Sequence, residues 1–304
     1  MNKLFVHIGH SKTGTTTLQD CLFSKHEEIA YLGRPYQNPI FENEIERLAL
    51  QDSSRYHPQG LKDLINHYRQ TVQEKPIVIS EETFSSVKSN DRGLIADRIK
   101  TIFWPCHIII VIRNQMDIIR SFYLNFDGLV LNLDRPMGKL VEFRRWLKHE
   151  WRKRDHGYFS EINYYDLITY YSELFGPKNV HVLLFEDFVE RKEKFFGELS
   201  SLLNIRLNDA LNLINKQHER KGPSSREFRY MQIKSKYLFG FEPERYVSLG
   251  SFFNRHVNNF MQKGSKPNIQ FGEYDKKMQN FFREGNNRLL DWLKLPLGDY
   301  GYPL

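Results

Sequence analysis

Four short runs of almost uninterrupted apolar and β-branched residues constrain this chain most: LFVHI (4–8), PIVIS (76–80), HIIIVI (107–112) and VHVLLF (180–185). Runs of that length without polar alternation read as strands covered on both faces. Helical spacing lies between them. Leu18, Cys21 and Leu22 repeat after the first run, and Leu61, Leu64 and Ile65 before the second. Strands alternating with helices predict an α/β fold with a parallel sheet and right-handed crossovers. Ligands of such sheets gather at the carboxyl ends of the strands. Each unusual polar cluster follows one of those ends: HSKTGTTT, SEETF, RNQMDIIRSFY and FEDF, in chain order.

Beyond about residue 205 the strand signals stop, and polar and aromatic helical patterns take over. The chain has 304 residues and shows no internal repeat and no long tether. The expectation is one domain over 1–304, with an α/β core at 1–205 and a helical covering segment at 206–304. No apolar run approaches the roughly 20 residues that cross a bilayer. The opening MNKLFVHIGH lacks a signal-peptide cleavage pattern, so the expected location is cytoplasmic. Cys21 and Cys106, the two cysteines, have no neighbours at metal-ligand spacing and read as core. A formal charge of +7 attracts anions, whether a nucleotide, an acidic sugar chain or a nucleic acid.

The first loop narrows that choice. Gly9 and Gly14 have the glycine spacing of a Walker A loop, but Thr15 stands where a nucleotide triphosphatase needs lysine, and the cation is displaced to Lys12. The amides of Lys12 to Thr16, at the start of a helix, suit an anion. Gly14 permits its close approach. Thr15, Thr16 and Thr17 add hydroxyls. The third run ends in Arg113 rather than in a magnesium-holding aspartate, so a donor with less charge than a triphosphate, handled without metal, fits better. In the cluster after it, Asn114 is a good helix cap, and Asp117 is placed to reach back to the cap's amide. Ser121, seven residues on, returns to nearly the same face, where an arginine fork and a hydroxyl suit one phosphate.

These residues resemble a known family. HSKTGTTTLQ (10–19) resembles the 5′-phosphosulfate loop of the sulfotransferases, with His10 where proline is usual. VIRNQMDIIRSFY (111–123) is similar to their 3′-phosphate motif, with Gln115 where proline is usual. The likeness runs on through YYDLITYYSELFGPKNVHVLLFEDF (164–188) and covers roughly the first two thirds of the chain. It implies a P-loop-like fold and 3′-phosphoadenosine 5′-phosphosulfate (PAPS) as donor. The product would be 3′-phosphoadenosine 5′-phosphate (PAP), with no metal required. The implied donor-binding residues are Ser11, Lys12, Thr13, Gly14, Thr15, Thr16, Thr17, Arg113 and Ser121. Arg220, Lys221 and Gly222, within HERKGPSS (218–225), resemble a stretch that closes over the 3′-phosphate in that family; a solvated charged loop is the alternative.

Sulfuryl transfer to an alcohol needs a base for the hydroxyl proton and a cation for the charge growing on the departing phosphate. Lys12 suits the second role. For the first, SEETF offers Glu81 and Glu82, and adjacent residues of an extended chain point to opposite sides, so one of them faces the cleft. Glu82 is favoured because its spacing from Phe84 resembles the Ser-Glu-x-Phe form of bacterial members; Glu81 is the reserve. His7 and His107 lie in strands and read as packed. The acceptor is a hydroxyl compound, a carbohydrate or other alcohol. The segment FRRWLKHEWRKR (143–154) suits an acidic sugar or polysaccharide, or equally an amphipathic helix with Trp146 and Leu147 inward. A P-loop kinase of small molecules or sugars is the alternative, and the displaced lysine argues against it. No zinc spacing, RNA-recognition motif or recognition-helix pattern points to nucleic acid.

Overall fold

Five parallel strands form one sheet: β1 (Leu4–His7), β2 (Ala30–Gly33), β3 (Ile77–Ser80), β4 (His107–Ile112) and β5 (Val180–Leu184). Their order is β2-β3-β1-β4-β5. The computed structural model describes residues 2–72, 74–86, 91–124, 141–216, 223–229, 265 and 267–304. All four predicted runs are strands. β2 was not anticipated: it is an edge strand of four residues, AYLG, whose two central residues are only half-buried, so it lacks the unbroken apolar run of a covered strand.

The register sets the carboxyl edge. His7 pairs with Ser80, and Ser80 with Gly33, so β1, β3 and β2 end level with one another. β1 lies between β3 and β4, at the point where the chain crosses from one half of the sheet to the other. This is the switch point at which parallel sheets open a crevice.

Alternation along the strands divides the core into two layers. Leu4, Val6, Ile77, Ile79, Ile108 and Ile110 face one layer, and Phe5, Val78, Ile109, Val111 and Leu183 the other. The first layer is covered by α2 (Pro39–Leu50), α3 (Gln59–Thr71), α4 (Arg92–Phe103), α5 (Gln115–Leu124), α6 (Phe143–Arg152), α7 (Tyr158–Glu161) and α8 (Tyr164–Phe175). The second is covered by the helix that follows β1, by α10 (Lys192–Leu203) and by α11 (Leu207–Asn215); the short α9 (Phe185–Glu190) follows β5. The helix after β1 starts as α1 (Thr15–Thr17) and widens into a π-helical stretch, Leu18–Phe23, that buries Leu18, Cys21 and Leu22. Such wide turns recur at functional sites. The late helix α12 (Asp275–Leu293) sets Met278, Phe282 and Leu289 into the same layer as Leu4 and Val6.

Helix starts are fixed locally. Asn38 caps α2 by accepting from the amides of Ile40 and Phe41, with Pro39 in the first turn. Asp91 caps α4 through Gly93 and Leu94. In α6, Phe143, Trp146, Leu147 and Glu150 are buried and the basic residues lie on its outer side or at half exposure, as in the amphipathic reading of that segment. Both cysteines are buried and unbridged. Among the described residues, no helix is long and apolar enough to cross a membrane.

Candidate active site

The turn after β1 is shaped by close approach. A Cβ on Gly9 would lie 2.6 Å from the Thr15 hydroxyl and 2.8 Å from the His7 ring, so only glycine fits. Lys12 and Gly14 both adopt positive φ, 69° and 80°. Gly14 also sits against the Phe185 ring, which a Cβ would meet at 3.2 Å. At that position, therefore, glycine serves the backbone and its aromatic neighbour as well as any approaching anion.

The threonines divide their work. Thr13 and Thr15 are buried, and both hydroxyls donate to the His10 carbonyl, at 2.7 and 3.0 Å. They brace the turn from within. Ser11, Lys12, Thr16 and Thr17 are half-exposed at its surface. His10 is fully buried edge-on to Tyr164, with ring centroids 5.1 Å apart. Burial, aided by the charge of Arg92, lowers its pKa to about 3, so it is neutral. His7 is likewise packed: Nδ1 lies 2.8 Å from the Ser80 hydroxyl, Gln19 donates to the same oxygen at 3.0 Å, and burial lowers the pKa to about 4.

The second motif is joined to the first. Arg113 leaves β4 and donates from Nη1 to the Lys12 carbonyl at 3.0 Å, while its guanidinium lies 4.5 Å above the Phe185 ring. Its own carbonyl accepts from the Tyr164 hydroxyl at 2.8 Å. Asn114 caps α5 as expected, its side chain accepting from the Met116 amide at 2.9 Å. Asp117 does not reach back to it. Asp117 pairs instead with Arg120 at 2.9 Å on the exposed side of the helix, and the Asn114 amide donates to Glu186 of α9 at 2.8 Å. Gln115, in the place of the usual proline, is buried and exchanges hydrogen bonds of 2.7 and 3.1 Å with Asn286 of α12. Ser121 lies half-buried on α5.

The two glutamates separate as alternation demands, and their partners differ. Glu81 is 2% exposed: one oxygen accepts from the Thr83 amide at 3.0 Å, and the other from Arg34 Nε at 2.9 Å and from the Tyr36 hydroxyl. Glu82 opens the 3₁₀ turn Glu82–Phe84 and is half-buried. Burial lifts its pKa, Lys12 pulls it down, the charge of Glu81 raises it, and Arg34 and the polar Thr15 side chain lower it. Glu82 thus interacts with two residues of the β1 turn, and Glu81 faces the exit of β2. Ser85 closes the turn by donating to the Gly9 carbonyl at 2.9 Å.

Several residues at this edge carried no readable assignment. Arg34 and Tyr36 follow a strand the apolar pattern did not show. Tyr164 was visible only inside a longer likeness. Phe185 and Glu186 belong to FEDF, whose position after a strand was the one available signal. Tyr302 donates to Glu186 at 3.0 Å, and Asn114 donates to the carbonyls of Tyr300 and Gly301 at 2.9 and 2.7 Å, so the C-terminal residues close this side. Arg220, Lys221 and Gly222 lie outside the described residues. Among the described residues, no group of three or more His, Cys, Asp or Glu side chains is placed to hold a metal.

No match is found among curated proteins. A sulfotransferase from Alicyclobacillus acidocaldarius superposes over 99% of both chains with a TM-score of 0.55 at 17% identity, a likeness of fold. The sulfotransferase domain from the curacin biosynthetic pathway aligns over 96% of this chain and 97% of its own, with a TM-score of 0.48 at 13% identity. Mouse sulfotransferase SULT7A1, complexed with PAP, aligns over 73% of this chain and 68% of its own, with a TM-score of 0.41 at 14% identity. The sulfotransferase domain family matches residues 3–243, most of the chain's length. The chain therefore belongs to the sulfotransferase family and is one of its PAPS-dependent enzymes.

Proposed function

We propose that this enzyme moves the sulfuryl group of PAPS to a hydroxyl of a carbohydrate or other alcohol, with Glu82 as base and Lys12 as the cation at the departing phosphate. The observation that supports this reading is the meeting of Lys12, Arg113 and Glu82 at the carboxyl edge of β1, β4 and β3. The Arg113 guanidinium, from the exit of β4, reaches the turn that carries Lys12, a donor set suited to an anionic nucleotide. When bound, PAPS supplies the sulfuryl group and the leaving phosphate.

Each residue then has one task. Glu82, lifted by burial, takes the proton of the acceptor hydroxyl as that oxygen attacks. The Lys12 ammonium meets charge that grows only as the reaction proceeds, so it acts on turnover more than on binding. Arg113 and Ser121 hold the 3′-phosphate; Ser11, Thr13, Gly14, Thr15, Thr16 and Thr17 form the turn that receives the 5′ end. Arg220, Lys221 and Gly222, outside the described residues, are assigned to the same phosphate from their likeness to the family's closing stretch. No metal takes part, and an acidic sugar or polysaccharide suits the protein's positive charge.

Calorimetric titration with PAP, with ATP and magnesium, and with duplex DNA separates this reading from a kinase or a nucleic-acid binder. PAP should bind tightest; a preference for ATP would overturn the reading. Glu82→Gln should abolish transfer and leave PAP affinity within about twofold, because a base acts on the reaction and not on the nucleotide. A screen with ³⁵S-labelled PAPS against sugars, phenols and lipids identifies the acceptor.

A further inference from the structure

Glu81 is a buried carboxylate beside the proposed base, and its contacts are unusually complete. Oε1 accepts from the Thr83 amide at 3.0 Å, capping the 3₁₀ turn that carries Glu82. Oε2 is held by Arg34 Nε at 2.9 Å and by the Tyr36 hydroxyl. The Glu81 amide donates to the His7 carbonyl at 3.1 Å. Arg34 and Tyr36 reach this point because Gly33 and Ser80 are paired in register, so the chain leaving β2 runs beside the chain leaving β3. At its far end the turn is fastened to Gly9 by Ser85. Glu82 therefore stands on a turn tied at one end to the chain leaving β2 and at the other to the turn after β1.

We infer that Arg34 and Tyr36 are positioning residues for the transfer reaction: acting through Glu81, they fix the turn that aims Glu82 at Lys12 and Thr15. The inference rests on Glu82 being the base. Its physical basis is asymmetry of burial. The Arg34 side chain is 49% exposed and that of Glu81 only 2%, so Arg34 is the solvent-side partner of a carboxylate that has almost no water of its own. Removing one partner of such a pair leaves an uncompensated charge that must move toward water. That movement releases the Thr83 amide and lets the turn rotate. Tyr36 is held protonated by its burial and by the charge of Glu81, so it stays a donor.

Charge gives a signature that a merely structural role lacks. Glu81 raises the pKa of Glu82, and Arg34 lowers it. Arg34→Gln should therefore move the Glu82 titration upward and Glu81→Gln downward, although both variants loosen the same turn.

The test uses the full chain saturated with PAP, with ¹³C-labelled glutamate, and the Glu82 carboxyl resonance assigned by its loss in Glu82→Gln. Carboxyl titrations of wild type, Arg34→Gln, Arg34→Lys, Tyr36→Phe and Glu81→Gln are compared with the rate of ³⁵S-PAPS turnover to water. The expected result is a pair of midpoint shifts of opposite sign. Turnover should fall about tenfold to 100-fold in Arg34→Gln and Tyr36→Phe, with PAP affinity within about twofold of wild type. Arg34→Lys should recover part of the loss. Should Glu81→Gln fail to fold, the half-exposed Arg34 and the Tyr36 hydroxyl still decide the matter. Full turnover in Arg34→Gln and Tyr36→Phe, or Glu82 midpoints that move the same way or not at all, overturns the inference while the base assignment stands. Full turnover in Glu82→Gln removes the base assignment itself, and the inference with it.

Discussion

The guanidinium of Arg113 donates to the carbonyl oxygen of Lys12 at 3.0 Å, joining residues 101 positions apart in the chain. The bond fastens the exit of β4 to the turn after β1, so the elements proposed to receive the two ends of the donor nucleotide are joined directly. It also draws the Arg113 side chain across Phe185, the ring against which Gly14 packs.

Arg113→Lys should weaken PAP binding about tenfold to 100-fold. A lysine keeps the charge but has no planar fork to serve a phosphate and the Lys12 carbonyl at once, and losing a charged hydrogen bond costs roughly 1.5–3 kcal/mol. Calorimetry with PAP measures the loss; unchanged affinity would remove Arg113 from the nucleotide site.

Lys12 combines a cation with a left-handed backbone, φ 69°, and paired substitutions separate the two. Lys12→Gly and Lys12→Ala should lose turnover to the same large extent, because both delete the ammonium. Lys12→Gly should remain within about 1 kcal/mol of wild-type stability, since relief of the left-handed strain offsets the glycine entropy. Retention of turnover in Lys12→Gly alone would show that loop shape, and not charge, is what the reaction needs. Thermal melts and PAPS turnover are the two readouts.

Gln115→Pro restores the residue usual in the family and tests why this chain departs from it. Gln115 is the first residue of α5, a position that accepts proline, so backbone damage should be small. The buried Asn286 side chain loses both bonds to Gln115 and keeps that to the Pro303 carbonyl, which should cost about 1–3 kcal/mol in urea denaturation. PAP affinity should stay close to wild type, because the lost contact joins α5 to α12.

Acid should unfold the protein through its buried histidines. His7, His10 and His181 have folded-state pKa values of about 4, 3 and 4, below the ordinary 6.5, mainly because burial disfavours the imidazolium; His107, 3.0 Å from His181, is lowered as well. The unfolded chain therefore binds protons first as pH falls. This stability is whole above about 6.5 and drains as pH drops from there through the folded-state values. Urea denaturation between pH 8 and 4 measures the slope. His181→Asn should make it shallower; a slope that stays the same would take this pair out of the acid response.

Much of the fold was legible because burial on both faces leaves a mark in composition. LFVHI, PIVIS, HIIIVI and VHVLLF contain no alternation, and each is a strand of the sheet. AYLG left no such mark, because an edge strand of four residues covers only part of itself. Cap chemistry was half legible. Asn114 caps α5, but its amide is met by Glu186, 72 residues away, and not by the neighbouring Asp117. Local spacing identifies a helix start and cannot show which distant carboxylate the packing brings to it.

The sequence by itself determined the parallel α/β plan and the place of the two polar clusters proposed to bind the donor, because glycine spacing, β-branched runs and cap residues act through their immediate neighbours. It also carried the motifs that resemble the sulfotransferases. The tertiary structure alone decided how the two glutamates divide. Glu81 is drawn to Arg34 and Tyr36, which come from the exit of β2, and Glu82 is left to interact with Lys12 and Thr15. That division depends on the lateral register of β2, β3 and β1. Adjacent carboxylates on one short turn differ in environment only when strands far apart in the chain have come to lie side by side.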